Sequence, residues 1–117
     1  MKVTKDSPAL SYIQFPRFLL DEEISNDAKL LYALLLDKAS VSKLNGFVET
    51  DGAIRVYFTV EQAQKKLCRS KQCTTRIFKE LEICGLICRK KQGLGKPAVI
   101  TLNYPESAKL IDPQNTV

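Results

Sequence analysis

Two helix-start signals stand close together in the middle of the chain, at Thr59 and Ser70. Thr59 and Gln62 make the pattern of a capping box, in which each side chain can bond to the backbone N–H of the other residue. Ser70 is a second good N-cap, because its hydroxyl can accept a hydrogen bond from the first turn of a helix. The first predicted helix ends at Leu67 or Cys68, which leaves almost no chain before Ser70. The sequence therefore predicts a pair of helices joined by a minimal turn.

The second helix of this pair is predicted to run from Lys71 to Cys84 and to stop at Gly85, a residue suited to the left-handed end of a helix. At about 100° per residue, its apolar side chains fall on one side of the helix. That side is predicted to contain Cys73, Ile77, Leu81 and Cys84, with Thr74 and Phe78 at its edge. The opposite, polar side collects Gln72, Thr75 and Lys79, and it is flanked by Lys71, Arg76, Glu82 and the apolar Ile83.

An earlier helix is predicted from the N-cap Ser25 to about Ser42. The run Ala28–Leu36 is so rich in aliphatic residues that this helix is apolar nearly all round, and we expect one face in the core and another against a second subunit. Residues 47–58 then alternate around the turn signal Asp51-Gly52, which predicts a β-hairpin.

Strand-like runs follow the helix pair at residues 86–91 and 98–102, and a glycine-rich turn, residues 92–97, separates them. This turn is not a nucleotide-binding loop. A Walker loop would follow its lysine with a hydroxyl residue, whereas Lys96 is followed by Pro97, and a dinucleotide fingerprint would lead into a helix instead of a strand. The turn is therefore predicted to be the tip of a hairpin.

The predicted order of elements gives an α+β fold, a winged helix-turn-helix with an extra β-hairpin between the first and second helices and a C-terminal β-hairpin wing. We expect an extended N-terminal arm over residues 1–24, because Pro16 disfavours helix there. The winged-helix DNA-binding domain is expected over residues 25–103. Residues 104–117 are expected to be a polar tail, or a linker to a C-terminal domain absent from this chain.

Charge is strongly zoned along the chain. Residues 65–96 carry ten basic and two acidic side chains, a net charge of +8, whereas residues 1–64 carry −2 and residues 97–117 carry −1. A basic zone of this kind is typical of a surface that binds a polyanion, although a solvated basic face of no particular function would have the same composition.

Several classes of site are disfavoured by composition. The chain has no histidine, which removes Ser/His and Cys/His catalytic pairs, and the acidic residues show no catalytic pattern, so we expect no enzyme. The spacing of Cys68, Cys73, Cys84 and Cys88 lacks the C-x2-C pairs of a zinc site, and we expect reduced, mostly buried thiols with no metal and no cofactor. No membrane span or secretory signal is present in the sequence, which favours a cytoplasmic protein.

The second helix of the pair and the wing are predicted to contact double-stranded DNA. In a winged helix, that helix enters the major groove, where glutamine suits adenine, arginine suits guanine, and lysines suit phosphates or guanine. Glycines in the tip would let the backbone approach the DNA closely. The predicted DNA-binding residues are Arg69, Ser70, Lys71, Gln72, Thr75, Arg76, Lys79, Arg89, Lys90, Lys91, Gln92, Gly93, Gly95 and Lys96.

A family resemblance adds to this interpretation. SNDAKLLYALLLDKASVSKLNGFVETDGAIRVYFT, residues 25–59, and QGLGKP, residues 92–97, resemble the N-terminal domain of plasmid replication initiator A (RepA) proteins of low-copy plasmids from Gram-positive bacteria. The resemblance runs from about Tyr12 to Leu102. It implies a homodimer that binds repeated origin sites, called iterons, to start replication and control copy number. It also implies that DNA is read by Gln72, Thr75, Arg76, Lys79 and the residues around Gly93 to Lys96.

Full-length members of the family continue into a host-specific C-terminal domain, which implies host replication proteins as further partners. We therefore expect this chain to be a fragment or a short regulatory relative. Alternative functions remain open at this point. One is a transcriptional regulator on the same fold, with the arm around Tyr12, Phe15, Phe18 and Leu19 receiving a partner. Another is a protein-interaction winged helix that binds an acidic partner and no DNA.

Overall fold

The computed structural model of the chain describes residues 1–108, so most of the predicted tail, residues 109–117, lies outside the described residues. A short 3-10 helix comes first, followed by three α-helices and an antiparallel pair of strands, in the predicted order of a winged helix-turn-helix. The elements are the 3-10 helix Arg17–Asp21, α1 Asn26–Leu44, α2 Val60–Leu67, α3 Lys71–Ile83, β1 Ile87–Lys90 and β2 Val99–Leu102. The predicted α+β fold class is confirmed.

The helices begin at the residues that the capping patterns predict. The Ser25 hydroxyl accepts a hydrogen bond from the backbone N–H of Ala28 at 3.2 Å. Thr59 and Gln62 form the reciprocal pair of a capping box, with distances of 3.1 and 2.9 Å. These caps supply acceptors for N–H groups that have no partner within a helix, and they therefore fix where each helix starts.

The prediction of an extended N-terminal arm over residues 1–24 is wrong for residues 17–21, which form the 3-10 helix. Pro16 ends the extended backbone, and its carbonyl accepts a hydrogen bond from Leu19 N at 3.2 Å to start the 3-10 helix. A proline disfavours helix at its own position and before it, but it leaves the residues after it free to turn. Leu19 is fully buried, and Phe18 lies edge-on to Tyr32 with ring centroids 5.5 Å apart. This part of the segment therefore belongs to the core.

The predicted hairpin between α1 and α2 is shorter than expected. Its halves meet in an isolated bridge between Val48 and Ile54, and the following stretch pairs with the wing instead. Val56 and Ile100 exchange backbone hydrogen bonds of 2.8 and 2.9 Å, and both side chains are fully buried. The pairing of Val56 with Ile100 thus extends the sheet of the wing by one bridge.

Helix α3 packs on the core through Thr74, Ile77, Phe78 and Leu81, all of which are buried. The prediction placed Cys84 in this apolar face and Thr74 at its edge, and both assignments are wrong. Thr74 can be fully buried because its hydroxyl donates to the Ser70 carbonyl at 2.8 Å.

The prediction that the cysteines are mostly buried is also wrong. Cys68, Cys84 and Cys88 are exposed and Cys73 is half-buried. Cys68 occupies the α2–α3 turn, Cys84 caps the end of α3, and Cys88 alternates with the buried Ile87 along β1. Turn, cap and outward strand positions all face solvent.

The wing consists of β1, β2 and the connection between them. Ile87 is paired with Leu102 and Lys90 with Val99, so the strands end where the basic glycine-rich connection begins. Among residues 1–108, no helix is long and apolar enough to cross a membrane.

Candidate nucleic-acid interface

The outward face of α3 is exposed and mostly polar and basic, although Glu82 and the exposed Ile83 fall within the same sector of the helix. At about 100° per residue, this face spans roughly 140° of the helix circumference and lies away from the buried Ile77 and Leu81. The predicted major-groove residues are all exposed and occupy this face: Lys71, Gln72, Thr75, Arg76 and Lys79. The structure therefore brings these predicted site residues together on one side of one helix.

Two hydroxyl groups near this face, those of Thr75 and Ser70, already form hydrogen bonds to the backbone of their own helix. The Thr75 hydroxyl donates to the Lys71 carbonyl at 2.9 Å, which leaves the threonine methyl as its outward group. The Ser70 hydroxyl accepts from Cys73 N at 3.2 Å and so caps the helix. The N–H groups of Lys71 and Gln72 precede the capped position and have no acceptor within α3, because a helix leaves its first N–H groups open.

The turn between α2 and α3 is tied to the start of α1. Cys68 adopts a left-handed conformation, with φ of 55°, and the next residue, Arg69, turns toward α1. The Arg69 Nε donates to Asp27 Oδ2 at 3.0 Å, and this hydrogen bond, together with the charge of the carboxylate, raises the pKa of Arg69. Nearby, the Glu80 carboxylate accepts from the Ser25 N–H and hydroxyl, both at 2.7 Å.

Arg89 on β1 is held against α3. Its Nε donates to Glu82 Oε1, and its guanidinium lies over the Phe78 ring at 4.7 Å from the centroid. The side chains of Arg89 and Glu82 are 26% and 34% exposed, so the pair is partly shielded from water. The structure therefore places Arg89 at the base of the wing, while the other basic residues of the wing lie nearer its tip.

The tip of the wing is exposed throughout. Gly93 and Gly95 have φ values of 119° and 78°, and the Lys96 N–H donates to the Gly93 carbonyl at 3.3 Å. The remaining predicted residues of the wing, Lys90, Lys91, Gln92 and Lys96, are exposed around this turn. The two predicted groups of site residues thus lie on α3 and on the wing, which the Arg89–Glu82 contact joins.

Sequence reasoning missed the residues that hold these elements in place. Asp27, Glu80 and Glu82 each bond to a partner distant in sequence or in another element. The only signal for Asp27 was its favourable position at the start of a helix, which gave no indication of Arg69. Within residues 1–108, no cluster of three or more potential metal ligands is present.

A comparison with protein families assigns the chain. The family described as the N-terminus of replication initiator protein A (RepA) matches residues 11–112, nearly the whole sequence. The chain belongs to this family. The predicted family resemblance is confirmed.

The chain is also similar to part of a longer protein. A protein described as a 41 kDa protein of Lactobacillus helveticus is 30% identical over 105 residues, which cover 86% of this chain. The match spans 29% of the length of that relative, so the chain corresponds to less than a third of it.

Solved structures with the same fold include one described as a Rep-DNA complex. It is 32% identical, with a TM-score of 0.71, and the match covers 85% of this chain and 79% of that one. A structure described as the N-terminal domain of a DNA-binding protein is 33% identical, with a TM-score of 0.69, over 81% and 76% of the two chains. One described as an MDR initiator is 29% identical, with a TM-score of 0.69, over 85% and 81%.

Proposed function

We propose that this chain is the DNA-binding domain of a plasmid replication initiator. The observation that carries the proposal is the exposed outward face of α3, on which side chains suited to base edges alternate with side chains suited to phosphates. Membership of the RepA N-terminus family and the likeness to a structure described as a Rep-DNA complex support it.

The chemistry of the α3 face suits readout in the major groove. Gln72 can pair bidentately with adenine and Arg76 with guanine, and the outward methyl of Thr75 can pack on the methyl group of thymine. Lys71 and Lys79 flank these residues and can neutralise phosphates. Base contacts would supply sequence preference and phosphate contacts would supply most of the affinity.

The start of α3 and the lysines of the wing supply further contacts that can position the domain on DNA. The open N–H groups of Lys71 and Gln72, together with the positive end of the helix dipole, suit a phosphate oxygen. Lys90, Lys91 and Lys96 can reach the DNA backbone beside the groove. The Arg69 and Arg89 guanidinium groups already bind Asp27 and Glu82, so we assign them mainly to holding the turn and the wing in place.

The finer proposal concerns the biological role. The domain would bind iterons at the plasmid origin as a homodimer, start replication and control copy number, and it would do so without catalysing a reaction. Host replication proteins would be recruited through a C-terminal domain of the full-length initiator. This role places the protein in the cytoplasm, as the sequence predicts.

Footprinting on the parent plasmid tests this role. Protection of tandem repeats at the replication origin is the expected result. Protection of a promoter alone would instead favour a transcriptional regulator, and the absence of protection at moderate salt would favour a winged helix that binds only proteins.

Alanine variants test the residues. Gln72→Ala and Arg76→Ala should each cost about 1–3 kcal/mol at one cognate base pair and relax the preference there. Lys91→Ala is the matched control, because loss of a phosphate contact should weaken binding to cognate and random duplexes equally. Equal losses on both duplexes for Gln72→Ala and Arg76→Ala would contradict the assignment of α3 as the reading helix.

A further inference from the structure

The tip of the wing is a tight turn that presents a single side chain. Residues Gly93 to Lys96 form a β-turn closed by the Lys96 N–H and the Gly93 carbonyl, with Leu94 and Gly95 at its two central positions. The φ of 78° at Gly95, following a residue outside the left-handed region, is the pattern of a type II turn, which requires glycine at that position. Pro97 then restricts the backbone of Lys96. Leu94 is therefore displayed on a defined turn.

Leu94 is fully exposed, and more so than any other aliphatic residue of the described chain apart from Met1. A single exposed leucine needs no explanation on most protein surfaces. Here, however, the leucine stands between two glycines, and no heavy atom would contact a Cβ added at either of them. The tip thus presents one apolar side chain, and the residues on either side of it have no side chain.

The stretch of sequence around Leu94 is basic, and Glu49 and Asp51 of the segment between α1 and α2 approach the wing only in a cleft that they line with Lys90 and Lys91. Residues 83–105 include four basic side chains and no acidic one, and Lys91 and Lys96 stand closest to the tip in sequence. A slim, apolar tip with cations at its sides matches the minor groove, which is about 6 Å wide and lined by phosphates. Proteins that bind there often insert an apolar side chain between base steps, which unstacks the bases and kinks the duplex.

We propose that Leu94 inserts into the minor groove of bound DNA as an apolar wedge, while Lys91 and Lys96 hold the phosphates on either side. The inference rests on the proposed DNA-binding function. A wedge of this kind would add a preference for flexible base steps, such as TA or CA, at positions that α3 does not contact.

Duplexes carrying 2-aminopurine test the wedge. The fluorescence of this adenine analogue is quenched by stacking, so the analogue is placed at successive adenine positions of a bound site. Wild-type protein should raise the fluorescence at one step beside the site of α3. Leu94→Ala should abolish this rise and weaken binding about three- to tenfold, as expected for the loss of a partly buried leucine. Leu94→Met should retain the rise.

Leu44→Ala is the matched control, because Leu44 is also an exposed leucine but lies at the end of α1. This variant should leave both the fluorescence and the affinity unchanged. Thermal unfolding of Leu94→Ala should match the wild type, since the side chain contributes no burial.

The possible outcomes separate the two proposals. If wild-type protein binds the duplex but Leu94→Ala has the same affinity and fluorescence, the wedge is overturned while the proposed function stands. If Leu94→Ala changes self-association in sedimentation and leaves the fluorescence intact, Leu94 contacts a second copy of the chain and the wedge is again overturned. If wild-type protein binds no duplex, the proposed function itself fails.

Discussion

Cys68 adopts a backbone conformation that ordinary residues avoid. Its φ of 55° places it in the left-handed region at the turn between α2 and α3, where a residue with a Cβ costs about 1–2 kcal/mol. Glycine avoids this cost. It loses more conformational entropy on folding, however, and this loss costs roughly 0.5–1 kcal/mol. Because the thiol is exposed, we expect Cys68→Gly to raise the free energy of unfolding by about 0.5–1 kcal/mol in urea denaturation.

Cys84 provides the control for this prediction. It is also an exposed cysteine at the end of a helix, but its φ is −80°, so glycine offers no relief of strain there. Cys84→Gly should be neutral or destabilising. An equal loss of stability in both variants would show that the conformation of Cys68 is not strained.

The buried phenol of Tyr32 makes the stability of the fold decrease at alkaline pH. Its hydroxyl donates to the Asn103 carbonyl at 2.6 Å, the side chain is only 3% exposed, and burial raises its pKa from 10.0 to about 12. The folded state therefore holds this proton at pH values where the unfolded chain has lost it. The protonated phenol therefore contributes of the order of 2–3 kcal/mol to the free energy of unfolding. This contribution is complete below pH 10 and is lost as the pH rises toward 12.

Tyr32→Phe isolates this effect from the titration of lysines and other tyrosines. We expect the variant to be less stable than the wild type at pH 8, because the hydrogen bond to Asn103 is lost. The difference between the two proteins should shrink between pH 10 and 12 when unfolding is followed by circular dichroism. A difference that is constant across this range would contradict the shifted pKa of Tyr32.

At the scale of elements, the helices follow from local sequence and the strands do not. Ser25 and Thr59 start their helices where their side chains cap the first turn, and such caps depend on residues only three positions away. The pairing of Val56 with Ile100 instead of a hairpin partner depends on which distant strand covers the core. Period-2 alternation predicted a strand at Val56 but could not identify its neighbour.

One contact between α3 and the wing involves a charged side chain. Arg89 combines a partly shielded ion pair to Glu82 with a cation–π contact to Phe78. We expect Arg89→Ala to lower the free energy of unfolding by about 1–2 kcal/mol, and a double-mutant cycle with Glu82→Ala to give a coupling of about 0.5–1 kcal/mol.

Lys91→Ala is the control on the same wing. Its side chain is exposed, so the substitution should change stability by less than about 0.5 kcal/mol while weakening DNA binding. If Arg89→Ala weakens binding without any loss of stability, Arg89 contacts DNA directly, as the sequence alone predicted.

At the scale of the whole molecule, the zoned charge could be read from the sequence, but the contacts that orient the charged elements could not. The Asp27–Arg69 and Ser25–Glu80 pairs join residues 42 and 55 positions apart, and both tie the start of α1 to the helix pair. No local pattern reports such pairs. The outward face of α3 was predictable because helical periodicity already separated it from the buried face.

The +8 zone leads to a prediction about salt. If a dimer contacts about 6–8 phosphates, the logarithm of the binding constant should fall with the logarithm of salt concentration at a slope of about −5 to −7, because each phosphate contact releases condensed counterions. Fluorescence anisotropy with a labelled duplex at several salt concentrations gives the slope.

Lys91→Ala should make the slope shallower by about 1 for each protomer. Lys2→Ala removes an exposed lysine outside the zone and should leave the slope unchanged. Equal slopes for all three proteins would mean that the wing does not contact phosphates.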